Sequence, residues 1–250
     1  VSRAQLDEHR AIWARKPLLG DVYAPWFEAL LAEVPRGGKA LEVGAGPGFL
    51  APFARARGGI GRLVSADLVE APWNAVSADA QRLPFVAGAF DAVLALDVLH
   101  HLSEPARFFS ECVRVLKPGG RIAVVEPWVS PFSYPIYKWL HQEGIRSGLD
   151  HWRPFASGDA KQPFEGDGGI FTQLIRRSGP ELWRSFGLRP PRLELLNAMA
   201  YVLSLGFRRG SLLPRALAPA FLALDRWLAP AAPLLALRVL AVWEREAGAA

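Results

Sequence analysis

Cysteine is almost missing from this chain: Cys112 is the single one among 250 residues. That excludes a disulfide framework and points to a reducing compartment. The five histidines and the lone thiol show no ligand spacing, so no metal is expected. No basic run is interleaved with aromatics, which argues against a nucleic-acid partner. Long apolar runs are also lacking. Beyond residue 207 the longest uncharged stretch, 227–237, has eleven residues, whereas a membrane-spanning helix needs about 20. The first residues are polar, without the apolar segment of a secretory leader, and a cytoplasmic location is expected. There is no internal repeat.

What remains is a globular composition, 51% hydrophobic and 21% charged. A chain of this length suits one domain with an insertion. Its charge is uneven. Residues 1–174 carry 18 basic and 19 acidic groups, and residues 175–250 carry 11 and 5, giving −1 and +6. A basic, apolar C-terminal third can face an anionic substrate or rest on a membrane surface; solvated arginines around a core would give the same count.

Helical apolar spacing occupies 4–15 and 23–34, with Pro25 suited to a first helical turn. "KALEV", "GRLVSAD", a short "NAVSADA", "FDAVLALDVL" and "RIAVVEP" read as strands, alternating with helices at "GFLAPFARA" and "PARFFSECVRVL". "KPGG" supplies the turn after the latter helix. This alternation predicts an α/β, doubly wound, parallel sheet whose ligands bind at the carboxyl ends of the strands. One domain is expected, divided into N-terminal helices (1–35), a core (36–127), an insertion (128–171) and C-terminal helices and strands (172–250). The insertion lacks periodicity and is crowded with aromatics, including Trp128, Phe132, Tyr134, Tyr137 and Trp139. Such a segment is expected to fold as a lid over the site. Further on, 172–186 reads as a helix, "PRLELLNA" as a strand, 211–236 as helix broken by prolines, and "LRVLAVWERE" as a closing strand.

The first strand runs into Gly44, Gly46 and Gly48, spaced G-x-G-x-G. The dinucleotide fingerprint would place its third glycine one residue later, where Phe49 stands. Bare backbone there admits either a phosphate or a cationic group. Glu42 at the strand end repels the first and suits the second. Asp67 ends the second strand at a spacing fit for a ribose diol, and Asp79 follows the third, where it can accept from an adenine amino group. Each acid alone could equally be a helix cap or turn former. Together they outline a ligand with a cationic end, a diol and an adenine.

These motifs, "LEVGAGPGFL", "VSADLVE", "SADAQRLPF", "FDAVLALDVLHHL" and "ECVRVLKPGGRIAVVEP", resemble those of the class I S-adenosylmethionine-dependent methyltransferases. The resemblance is to their small-molecule branch, with the ubiquinone and sterol methylating enzymes, and covers about residues 36–127. It implies a mostly parallel seven-stranded sheet with an antiparallel last strand, and S-adenosylmethionine as cofactor. By the same resemblance Glu42, Gly44, Ala45, Gly46 and Gly48 would hold the methionine portion. Asp67 and Leu68 would meet the ribose, Asp79 and Ala80 the adenine, and Leu96 and Asp97 would lie beside the sulfonium. One departure is that only eleven residues separate Asp67 from Asp79, too few for the usual helix between those strands.

Methyl transfer demands orientation and dryness, with a base only for acceptors that must lose a proton. The candidates for that role are His100, Glu126 and His141. The expected acceptor is lipophilic or polycyclic, with or without an acidic group; methylation at its oxygen or carbon stays open. Two other readings are a catalytically silent binding module of the same shape and a nicotinamide-dependent oxidoreductase.

Overall fold

Strict alternation along the central strands splits the apolar residues between two faces of one sheet. Val93, Ala95, Ile122, Val124, Val239 and Ala241 join one core, and Ala92, Leu94, Ala123, Val125, Leu240 and Val242 join the other. A sheet whose strands are apolar on both faces must be covered on both, and helices do this. The structure is a computed structural model and describes residues 2–140, 144–145, 152 and 166–248.

Seven strands form the sheet: β1 (Lys39–Val43), β2 (Arg62–Asp67), β3 (Val76–Ser77), β4 (Phe90–Leu96), β5 (Leu116–Pro127), β6 (Arg192–Leu196) and β7 (Arg238–Glu244). Their order is β3-β2-β1-β4-β5-β7-β6. β7 runs antiparallel to both neighbours, and the other pairings are parallel. The expected doubly wound sheet with an antiparallel last strand is therefore present. The carboxyl ends of β1, β4, β5 and β6 meet the start of β7 at one edge.

The helices are α1 (Arg3–Arg15), α2 (Leu18–Ala32), α3 (Leu50–Arg57), α4 (Pro105–Val115), α5 (Ser133–Pro135), α6 (Ile170–Arg177), α7 (Pro180–Ser185), α8 (Met199–Ser204), α9 (Ala218–Trp227) and α10 (Ala232–Leu235). A Ser2–Gln5 capping box starts α1. Leu19, Trp26, Phe27 and Leu30 of α2 pack on one sheet face, and Phe108, Phe109 and Cys112 of α4 on the other.

Three local expectations are corrected. α2 begins at Leu18, so Pro25 lies in its interior; the buried apolar face holds the helix despite the lost donor. The segment 172–186 is two helices, because Gly179-Pro180 ends one and starts the next. "KPGG" belongs to β5, where it bulges between the pairs Phe90↔Leu116 and Ala92↔Arg121, with Gly119 at φ +74°.

No helix separates β2 from β3, as the short spacing foretold. Trp73 fills that space. Its Nε1 donates to Gly46 O at 2.8 Å, and the guanidinium groups of Arg3 and Arg10 lie over its ring at 4.5 and 4.2 Å. This side chain ties α1 to the glycine loop.

Trp128 N and Tyr137 Oη both donate to Leu237 O, at 2.9 and 2.5 Å, pinning the insertion to the start of β7. Trp128 and Tyr137 are buried, whereas Tyr134 and Trp139 are exposed. Half of the expected lid, His141 included, lies outside the described residues.

Candidate active site

The loop after β1 owes its three glycines to different neighbours. All have positive φ: +65° at Gly44, +52° at Gly46 and +75° at Gly48. A Cβ on Gly44 would come within 2.4 Å of Val98 Cγ2, and one on Gly48 within 2.4 Å of Trp73 Cδ1. The outer two glycines thus serve the chain's own packing. At Gly46 an added Cβ would meet nothing nearer than 3.9 Å, leaving open backbone for a ligand.

Asp67 organises that backbone. Its Oδ2 accepts from Gly46 N at 2.7 Å and its Oδ1 from Val69 N at 2.8 Å. A carboxylate has about four lone-pair sites, so capacity remains for a diol. Beside it Leu68 is 52% exposed, an apolar platform at the same rim. Open backbone, a neighbouring acid and an uncovered leucine fit an adenosyl group. Asp79 caps its own turn, accepting from Gln81 N at 2.8 Å through Oδ1. Ala80 packs against the core.

Glu42 lies one strand pairing away, buried, with the Ser65 hydroxyl donating to it at 2.5 Å. Burial, opposed by that hydrogen bond and aided by the charge of Asp67, pushes its pKa from 4.5 up to about 7. The folded chain therefore keeps a proton that the unfolded chain has lost between these values. Stability should fall by about 3 kcal/mol as pH rises through that window and level off above it. Glu42→Gln should remove this part of the slope in urea unfolding followed from pH 4.5 to 7.5. Parallel curves for the two proteins would refute the assignment.

The second half of the site is built by the ends of β4 and β5. Glu126 is fully buried. Its Oε1 accepts from Val98 N and Leu99 N, each at 2.7 Å, and its Oε2 lies 2.6 Å from His100 Nδ1. The sequence-derived pair Glu126 and His100 is thus brought together, but as the brace of the loop after β4. Both are closed to solvent, and in this arrangement they hold the loop. The loop they brace carries Val98, the residue that touches Gly44.

Leu96, half-buried, packs on the core. Asp97 adopts the left-handed conformation at φ +57° and pairs with Arg238 at the start of β7. Asp97, His100 and Glu126 offer ligand atoms within 4.8 Å of one another, yet both Glu126 oxygens and one of Asp97 are already engaged by the chain's own donors. Arg238 and Trp73 escaped the sequence reading. The signal for the first was one arginine at the head of a closing strand that is apolar as far as Glu244; for the second it was an aromatic where a helix had no room.

Residues 41–124 match the family described as a methyltransferase domain. The chain is 34% identical over 139 residues to an uncharacterized methyltransferase of Mycobacterium sp. (strain JLS), covering 52% of this chain and 51% of that protein. It is 33% identical over 126 residues to the ubiquinone/menaquinone biosynthesis C-methyltransferase UbiE of Haemophilus ducreyi, covering 44% and 47% respectively. The chain spans about half the length of the curated relatives it matches. Among solved structures, phosphoethanolamine N-methyltransferase 2 of Haemonchus contortus, in complex with S-adenosyl-L-methionine, shares the fold. The TM-score is 0.55 at 15% identity, over 95% of this chain and 57% of that one.

Proposed function

We propose that this chain, a class I methyltransferase by its core sequence and its fold, methylates O or C of a small hydrophobic acceptor, with S-adenosylmethionine as cofactor. The observation that carries this reading is the open backbone at Gly46 beside Asp67 and exposed Leu68. The Asp67 carboxylate, which accepts from Gly46 N, stands where a pyrophosphate would be repelled. When bound, the cofactor supplies a methyl group on a positively charged sulfur. The chain's own work is to orient: Asp67 and the glycine loop hold one reactant, and the Glu126 brace sets the loop facing it. Holding two reactants in attack geometry lowers a barrier by about 7–11 kcal/mol.

The family match covers residues 41–124. The relative named as a C-methyltransferase of quinone biosynthesis supports a carbon as one acceptor to test. Calorimetry with S-adenosylhomocysteine and with NAD checks the cofactor, and labelled S-adenosylmethionine with matched polar and apolar acceptors checks turnover. Uptake of NAD with indifference to S-adenosylhomocysteine would overturn the reading. So would transfer to sugars or nucleotides in preference to apolar acceptors.

The C-terminal third extends the reading to a surface. Leu212, Leu217, Trp227 and Leu234 are exposed there among basic residues such as Arg209 and Arg226. No helix among the described residues is long and apolar enough to cross a membrane. Exposed apolar groups with positive charge suit an anionic lipid surface. The chain should co-sediment with phosphatidylglycerol vesicles and not with phosphatidylcholine vesicles, and Trp227→Ser should lower the bound fraction severalfold. Equal recovery with both lipids, or with neither, would refute this.

A further inference from the structure

Lys16, at the junction of α1 and α2, ends in a ring of backbone oxygens. Its Nζ donates to Ser204 O at 2.5 Å, Gly206 O at 2.8 Å, Gly210 O at 2.7 Å and Arg208 O at 3.2 Å. An ammonium carries three donors and no acceptor, and four carbonyl dipoles aimed at one point repel one another unless a cation stands between them. These carbonyls converge because the chain leaves α8 through two left-handed residues, Leu205 at φ +61° and Gly206 at φ +51°. Glycine accepts that conformation freely, whereas a leucine is strained in it. Asp97 and Leu205 are the non-glycine residues with positive φ among those described. The strained loop carries Phe207, whose ring stacks on His9 at 4.3 Å and lies near-parallel to Phe49 at 6.1 Å. Trp13, one turn beyond His9 on α1, stacks on the same Phe49 at 3.9 Å. Phe49 directly follows Gly48, and Arg10 Nη1 donates to Pro47 O at 2.6 Å. An ammonium cage, a strained turn and an aromatic stack thus join end to end, from the α1–α2 junction to the cofactor loop.

We propose that Lys16 is a positioning residue for the cofactor: its ammonium closes the 204–210 loop, and through Phe207 that loop holds Phe49 and the glycine loop in binding geometry. This rests on the methyl-transfer reading above and adds to it a residue that touches neither reactant. Without the cation the four oxygens share no donor, and nothing offsets the strain at Leu205. The turn then relaxes, Phe207 leaves the stack, and Phe49 loses one of its two ring neighbours. The cage is selective in kind. A primary ammonium brings both charge and N–H groups, a quaternary ammonium brings charge alone, and the planar fork of a guanidinium does not match oxygens that converge on one point.

Lys16→Ala removes the atoms that n-propylammonium supplies, so chemical rescue tests this. In calorimetry, S-adenosylhomocysteine should bind Lys16→Ala about tenfold more weakly than wild type. n-Propylammonium chloride should restore most of that affinity, and tetramethylammonium chloride at the same ionic strength should not. Amide hydrogen exchange at residues 44–49 should follow the same order, faster in the variant and slowed by n-propylammonium alone. Phe207→Ala should weaken the ligand to a similar degree without rescue by either salt, and the double variant should bind no worse than Phe207→Ala. Unchanged affinity in a folded Lys16→Ala protein would overturn the proposal, as would a loss that both salts repair equally or that neither repairs. Should Lys16→Ala fail to fold, Phe207→Ala decides, and unchanged affinity and exchange in that variant would overturn the proposal. Failure of the wild type to bind S-adenosylhomocysteine would instead overturn the cofactor reading, and the exchange at 44–49 would then decide the tether.

Discussion

Glu126→Ala should lower the unfolding free energy by about 3–5 kcal/mol, the cost of removing one partner from a buried, charge-assisted cluster. The substitution strands Val98 N, Leu99 N and His100 Nδ1 at once, and nothing apolar replaces what they lose. Because the freed loop carries Val98 against Gly44, the glycine loop should loosen too, and cofactor affinity should drop alongside stability. Glu126→Gln keeps one oxygen for the two backbone donors and should cost less than half as much. Urea unfolding of the three proteins measures the series. A loss below about 1 kcal/mol for alanine, within reach of a single ordinary hydrogen bond, would mean that the brace does not hold the loop.

Asp67→Ala should weaken S-adenosylhomocysteine binding roughly a thousandfold, the equivalent of two charge-assisted hydrogen bonds of about 2 kcal/mol each. Part of that loss is indirect, since Gly46 N and Val69 N also lose their acceptor. A 2′-deoxy analogue separates the parts. In the wild type it should bind at least tenfold more weakly than the full ligand; in Asp67→Ala the two should bind alike. If the deoxy analogue loses as much in the variant as in the wild type, Asp67 shapes the loop and does not touch the ribose.

Much of the fold was legible because a buried parallel strand cannot hide its composition. "FDAVLALDVL" has few polar residues since both its faces meet helices, and β4 indeed feeds both cores. The glycines and acids of the cofactor edge were legible for a similar reason, as each sits at a strand end where backbone geometry restricts the residue type. Pro25 misled because the apolar stripe of α2 starts at Leu18, about two turns before it, and proline position marks a helix start only when little precedes it. Glu126 and His100 were found as residues, though not as partners. Spacing could show that one ends a strand and the other follows one; it could not show that the carboxylate turns inward to serve three donors.

By itself, then, the sequence determined the strand order's raw material and the chemistry of the cofactor edge, because these depend on periodicity and on residues adjacent in the chain. Tertiary structure alone decided what lies opposite: Trp73 over the glycine loop, Arg238 beneath Asp97, the rings of Trp26 and Tyr201 around it. Those partners are separated by up to 212 residues in the chain, Trp26 to Arg238. Only sheet order and the antiparallel return of β7 bring them within contact, and no local pattern encodes such a meeting.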